Sequence, residues 1–201
     1  MMPFVGATLA LAAFESGEEK FGAKLLLDYA KFLRSNNGDI YTWYWPNMEP
    51  GIRCSTRSTT SHDGWGLGHW VEAFLRGLVG IRLTGPGLAA VEISPRWPVI
   101  GCSKIEVVAH YPSSDRYIAY RWEKGRGSIR LFVTGSARSV RLRLLVPALS
   151  RVTRLKLNGR SIPIRLEKVG TSRYLSLSLR GDGVNEVQVA MGRQSDKDLN
   201  A

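Results

Sequence analysis

Two neighbouring segments hold the residue types that could do chemistry. Tyr41-Thr42-Trp43-Tyr44-Trp45-Pro46-Asn47-Met48-Glu49 is an aromatic run that ends in a carboxylate. Flat Trp and Tyr faces stack on the C–H face of a sugar, and polar groups beside them fix its hydroxyls. The competing account is a hydrophobic plug. Four of the six Trp residues fall between 43 and 70, a density that favours a pocket. The second segment is Ser61-His62-Asp63-Gly64-Trp65-Gly66-Leu67-Gly68-His69-Trp70. Ser61 or Asp63 can cap the helix that follows. His62 stands at the loop-to-helix junction, where a side chain can point at a ligand. His69 lies further along the helix and reads as a packed or surface histidine. Gly64, Gly66 and Gly68 permit close backbone approach. They follow no strand, so they do not form a dinucleotide or phosphate loop.

Other chemistries lack their parts. Cys54 and Cys102 are too few for a four-ligand zinc site or a disulfide scaffold. His62 and His69 could share a helix face but have no third ligand, so no metal and no cofactor are expected. Ser/His/Asp triples carry no meaning without geometry. Glycoside hydrolysis needs two carboxylates across a pocket. Glu49 and Asp63 are the acids nearest the aromatic run, each able to serve as acid, base or hydroxyl binder.

The elements that must position these residues change character along the chain. Met2 to Phe14 is rich in Ala and Leu and reads as a helix. It resembles a signal segment in apolarity but lacks a basic start and a clear small-residue cleavage site. Cytoplasmic placement is therefore expected, with secretion as the alternative. After Gly17, the residues Phe21, Leu25, Leu26, Tyr29, Phe32 and Leu33 recur at helical spacing as one apolar face. Asn36-Asn37-Gly38 ends that helix, giving a helical hairpin. A long loop carries the aromatic run. A third helix is expected from Trp65 to Gly80, with Trp70, Phe74, Leu75 and Leu78 along one side. From Leu88 the period becomes two. Roughly nine short alternating runs follow, the spacing of an antiparallel β-sandwich. Asn158-Gly159, between Leu155–Leu157 and Ile162–Leu166, is a hairpin signal.

The formal charge of +11 is unevenly placed. Residues 1–100 hold nine basic and nine acidic side chains, so the second half carries the whole excess. There Arg141, Arg143, Arg154, Lys156, Arg165, Arg173 and Arg180 fall at or beside alternate strand positions. A solvated sheet face with edge protection accounts for them and is preferred to nucleic-acid binding. No aromatic residues interleave with them as a single-strand platform requires. A mean hydropathy of −0.12 and the absence of any apolar run near ~20 residues exclude a membrane-spanning helix from the expectations.

The ordered series of motifs resembles the C-terminal end of the six-hairpin glycosidases, most closely those of the α-L-rhamnosidase type. The aromatic run precedes Ser61-His62-Asp63-Gly64-Trp65 at a helix start. Then follow Phe74-Leu75-Arg76-Gly77-Leu78-Val79-Gly80-Ile81, Gly85-Pro86-Gly87-Leu88 and Val91-Glu92-Ile93-Ser94-Pro95. Leu144–Pro147 and Leu155–Gly159 suit the sandwich that closes such enzymes. The resemblance implies an α+β chain. Residues 1–84 would be the last helices of a partial α/α-toroid, 88–191 an antiparallel β-sandwich and 192–201 a polar tail.

The resemblance also implies roles. The family's general acid is an Asp in a segment upstream of the part matched here. Its general base is a Glu in a loop that Thr42-Trp43-Tyr44-Trp45 occupies here. Tyr44 stands where that Glu is expected, and Glu49 is the substitute by position. His62 corresponds to a sugar-contacting histidine. Tyr41, Trp43, Trp45, His62, Asp63 and Trp65 then form the sugar-facing wall. The expected function is a C-terminal fragment or subunit of an inverting hydrolase of α-L-rhamnosides or related glycosides. It would be inactive alone and completed by a chain carrying the remaining helices. The rivals are a stand-alone carbohydrate-binding or assembly module and a basic β-domain that takes a polyanion.

Overall fold

The computed structural model describes residues 2–38, 40–45, 47 and 63–193. Glu49, Cys54, Ser61 and His62 lie outside them. The chain divides into two compact units, Met1–Leu78 and Val79–Ala201. It is an α+β protein, helical first and a β-sandwich second.

In the first unit, α1 (Pro3–Ser16) opens with Pro at its first turn and closes at Gly17 in the left-handed conformation. α2 (Glu19–Ser35) follows at once. It ends where Asn37 and Gly38 take positive φ and the Gly38 N–H returns to the Leu33 carbonyl at 2.8 Å. The expected hairpin is present, but its seam runs one residue away from the expected face. Gly22, Ala23 and Leu26 are buried, whereas Phe21 is exposed. Sterics explain the shift. A Cβ at position 22 would lie 2.9 Å from the Ala10 carbonyl oxygen and 3.0 Å from the Phe14 ring. The helices therefore meet through the glycine, and the bulky neighbour turns outward.

α3 (Gly64–Glu72) is α-helical, but residues Ala73–Val79 continue as a π-helix rather than the expected straight helix to Gly80. The wider turn rotates the apolar side, so Leu75 is exposed while Ala73 and Leu78 are buried. A Cβ on Gly77 would fall 2.3 Å from the Phe14 ring. Phe14 is therefore seated between two glycines that no other residue can replace without displacing it.

The second unit begins earlier than the expected boundary at residue 88. Gly80 takes positive φ, and β1 (Ile81–Leu83) pairs antiparallel with β2 (Ala90–Ile93). The sandwich also contains β3 (Lys104–His110), β4 (Tyr117–Gly125), β5 (Ser128–Gly135), β6 (Ser139–Val146) and β7 (Ser150–Leu157). Then come β8 (Arg160–Ser161), β9 (Leu166–Val169), β10 (Ser172–Leu179) and β11 (Asn185–Arg193). One sheet has the order β1-β2-β6-β10-β9 and the other β3-β4-β5-β11-β7-β8. Pairing is antiparallel except between β2 and β6. Alternate residues of the strands meet in the core, where Ile93, Ile118, Trp122, Leu131, Leu142 and Leu175 are fully buried.

Asn158 and Gly159 both take positive φ, as a two-residue hairpin of the expected kind requires. The strand after it is shorter than expected. β8 stops at Ser161 because Pro163 has no N–H to continue the ladder. The chain then leaves for the other sheet, and Ile164 and Leu166 are exposed rather than core. Of the expected tail at 192–201, residues 194–201 lie outside the described residues. After a bulge at Ala190/Met191, Gly192 and Arg193 still pair with Arg151 and Ser150.

One buried polar relay holds the start of this unit. The Trp97 indole N–H donates to the Tyr120 hydroxyl at 2.9 Å, and that hydroxyl donates to the Val79 carbonyl at 2.7 Å. Burial holds the Tyr120 phenol above the ordinary tyrosine range, against a smaller lowering by Trp97. The neutral phenol is thus favoured in the folded state. Its stabilisation is fully present below about pH 10 and is lost as pH rises past it. In a titration followed by phenolate absorbance, Tyr120 should ionise only with alkaline unfolding. Tyr120→Phe should remove that alkaline step and cost about 2 kcal/mol, because an indole N–H and a carbonyl lose their partner. A normal titration of all seven tyrosines in the folded protein would contradict this account.

Among the described residues, no helix is long and apolar enough to cross a membrane, and no group of three His, Cys, Asp or Glu could hold a metal.

Candidate functional site

The site residues that can be placed lie in the helical unit, around the start of α3. Asp63 is buried and caps that helix. Its two carboxylate oxygens each accept a backbone N–H at 3.2 Å, from Trp65 and Gly66. Its own N–H donates to the Ile40 carbonyl at 2.8 Å. Of the three glycines expected to permit close approach, Gly66 does so. A Cβ there would lie 3.0 Å from Asp63 Oδ2, 3.3 Å from Pro3 and 3.4 Å from Ile40. Positions 64 and 68 have open space. Asp63 thus ties the segment that begins at Ile40 to the first turn of α3.

The aromatic run divides into an anchor and a surface. Tyr44 is buried, with its ring edge-on to Phe32 at 4.8 Å and to Tyr41 at 6.0 Å. Its hydroxyl accepts the Tyr41 N–H at 3.0 Å. The residue that stands at the family's expected Glu position is therefore a structural pin. Trp43 and Trp45 pack edge-to-face at 4.8 Å, and Trp45 is exposed.

Trp65 is the most exposed aromatic residue of the unit, at 59 %. Its ring stacks on Phe4 of α1 at 4.6 Å and 10°. His69 closes the group, 5.8 Å from Trp65 and 6.0 Å from Phe4, with Nδ1 at 2.9 Å from the Trp65 carbonyl. Phe4 was not singled out in the sequence. It sits in an Ala/Leu-rich run, and nothing in helical spacing reveals which face a residue shares with a helix sixty positions away.

An apolar cavity of about 170 Å³ lies among residues of α1, α2 and α3, lined by Gly6, Ala7, Ala10, Tyr29, Phe32 and Trp70 among others. The Tyr29 hydroxyl and the Trp70 indole nitrogen are buried and have no hydrogen-bond partner among the described residues. Burial, then the charges of Tyr44 and Asp63, push the Tyr29 phenol well above its ordinary range. Tyr29 is therefore a neutral donor at any physiological pH. The sequence showed Tyr29 and Trp70 only as apolar-face residues, because periodicity carries no information on whether a polar tip finds a partner.

The structure thus brings Asp63, Trp65 and the start of the segment holding Tyr41, Trp43 and Trp45 together around one helix end. Glu49 and His62 lie outside the described residues. At this helix end Trp65 offers an exposed flat ring, while the Asp63 carboxylate is engaged as the helix cap.

No protein-family model and no curated protein matches this sequence. Among solved structures, the chain is similar to a GH127 β-L-arabinofuranosidase from Geobacillus stearothermophilus T6. The identity is 18% and the TM-score 0.40, covering 63% of this chain and 18% of that one. It is also similar to an α-L-rhamnosidase from Dictyoglumus thermophilum, with 17% identity and a TM-score of 0.44, covering 79% of this chain and 17% of that one. The chain therefore spans less than a fifth of either of these structures.

Proposed function

We propose that this chain is the C-terminal portion of a six-hairpin glycosidase of the α-L-rhamnosidase type, and that its helical unit supplies one wall of the sugar site. The motif series supports the family. The observation that carries the site is the exposed Trp65 ring, stacked on Phe4 beside the Asp63 cap. A supported, water-facing ring of this kind is what a sugar face packs against. Tyr41, Trp43 and Trp45 belong to the same wall, with His62 and Glu49 as hydroxyl binders or, for Glu49, the general base, and Asp63 as the cap that fixes the helix end beside them.

The helices support the need for further helices around them. α1 buries Ala7, Ala10, Ala13 and Phe14 on one side, yet exposes Val5 and Leu9 on another. Leu67, Val71 and Leu75 are exposed on α3 and its π-helical continuation. A helix apolar all round belongs in an interior, and apolar surface of this extent marks an interface. An inverting hydrolase also holds its acid and base about 6.5–9.5 Å apart across the sugar, which one wall cannot do. The chain by itself is therefore expected to bind without hydrolysing.

The test has two arms. Titration of the full chain with methyl α-L-rhamnopyranoside should change Trp fluorescence, and Trp65→Ala should abolish the change while leaving circular dichroism intact. Sequencing of the DNA and transcript upstream of Met1 should reveal helical hairpins carrying an acidic motif. Sugar binding with an unrelated upstream sequence would favour the stand-alone binding module. Absence of binding would remove the sugar-wall assignment.

A further inference from the structure

The basic excess of the sandwich divides between two sheets of different character. On the five-stranded sheet three arginines share two carboxylates. Arg82, Arg141 and Arg143 surround Glu92 at 3.3, 3.7 and 3.7 Å, and Arg141 and Arg143 each reach Glu167 at 3.0 Å. On the six-stranded sheet Arg121 and Arg130 meet Glu106 and Glu186, and Lys104 lies 3.9 Å from Glu123. Arg154, Lys156 and Lys124 have no ion pair among the described residues.

The register places these cations around a depression. On the face turned away from the core, Glu123, Arg130, Gln188 and Lys156 form one row across β4, β5, β11 and β7. Gly125, Ser128, Ala190 and Arg154 form the next. Three consecutive small residues in the second row lower the floor to the backbone. The long side chains of Arg130, Arg154 and Lys156 wall it, and the hollow measures about 470 Å³. That is the size of a pocket for a small ligand or a few sugar units.

We infer that this hollow on the six-stranded sheet binds an acidic saccharide, one whose units carry carboxylate or sulfate groups. Arg154 and Lys156, two residues apart on one strand, can hold two anionic groups roughly 7 Å apart. Arg130 offers a third donor, although it also meets Glu186 at 3.3 Å. The neutral and acidic members of the rows suit hydroxyls. Gln188 donates its amide N–H to Glu186, which leaves its carbonyl oxygen to accept. Ser128 can donate or accept, and the Glu123 carboxylate accepts. A nucleic acid fits the rows less well. No aromatic ring lines the floor for a base to stack on. The inference is independent of the sugar wall proposed on the helices.

The experiment uses the full chain and isothermal titration with three probes: trigalacturonate, a sulfated heparin tetrasaccharide, and a single-stranded DNA of matched charge. The variant Arg154→Glu/Lys156→Glu should weaken saccharide binding about tenfold or more, the loss of two charge-assisted contacts. Arg138→Glu/Arg165→Glu makes the same change of net charge at exposed positions away from the hollow. It should leave affinity within about twofold. Ser128→Trp fills the floor without changing charge and should also abolish binding. Preference for trigalacturonate or for the heparin fragment tells carboxylate from sulfate. Equal losses in both charge pairs, tighter binding of DNA than of either saccharide, or no saccharide binding would each overturn the assignment.

Discussion

Replacing Gly80 by Ala should cost the sandwich about 4 kcal/mol or more, among the largest losses any single methyl could cause in this chain. Two effects act together. Gly80 has a φ of 76°, a conformation that costs an L-residue about 1–2 kcal/mol. In addition, a Cβ there would lie 1.9 Å from the Ser94 carbonyl oxygen and 2.2 Å from its carbon. These are backbone atoms, and they cannot rotate away. The same two residues make the hydrogen bond that starts the β1–β2 pairing, from the Ser94 N–H to the Gly80 carbonyl at 2.7 Å. Relieving the overlap therefore means breaking the pairing. Gly101→Ala separates the two effects, because Gly101 has a φ of 73° and open space around its Cβ position. It should cost only about 1 kcal/mol. Urea denaturation would report the totals, and hydrogen exchange at the amides of β1 and β2 would locate the damage. Equal losses in the two variants would mean that the close approach to Ser94 does not contribute.

That glycine marks the boundary between what periodicity reveals in this chain and what it conceals. The two helices and their stop at Asn36–Gly38, the period-two strands and the Asn158-Gly159 turn all follow from local spacing and backbone preference, and each is present. The departures share a different cause. Phe21 fits an apolar helical face, yet it is Gly22 that decides where α1 lies. Leu75 fits the same rule, yet the π-helical turn beside Gly77 and Phe14 rotates it outward. Ile164 and Leu166 alternate as core residues should, yet Pro163 ends the ladder before them. In each case a tertiary constraint, close helix approach or a missing N–H, overrides a local pattern. The candidate site divides in the same way. Residue type pointed to the Trp65 ring and the Asp63 cap, whereas Phe4 and the unpartnered Tyr29 and Trp70 tips depend on which elements meet.

Glu92 is the clearest instance, and it yields the second large effect. In the sequence it is the polar member of an alternating strand and belongs on a solvated face. In the structure its side chain is 5% exposed and faces three arginines, one of which, Arg143, is itself only 12% exposed. Arg143 lies over the Tyr174 ring, 4.6 Å from its centroid, and the Tyr174 hydroxyl in turn accepts a bond from the buried Arg96. Glu92 and Glu167 together hold a row of three arginines, and Glu92 is the buried carboxylate of the two. Glu92→Gln keeps the volume and removes the charge, so no cavity term enters. It should destabilise the sandwich by about 2 kcal/mol, because the half-buried row loses its buried carboxylate and Arg143 keeps only Glu167, at 3.0 Å. Arg82 and Arg141 are half-exposed and should contribute little to that loss. The control is Glu92→Gln combined with Arg143→Met, which removes the most buried guanidinium of the row. It should recover about half of the loss, because the guanidinium that lacked its second carboxylate is gone while the amide introduced at position 92 stays buried beside Arg82 and Arg141. A double variant as unstable as the single one would show that Glu92 acts through something other than Arg143. A loss below about 1 kcal/mol in the single variant would place the whole row in solvent, where ion pairs contribute little.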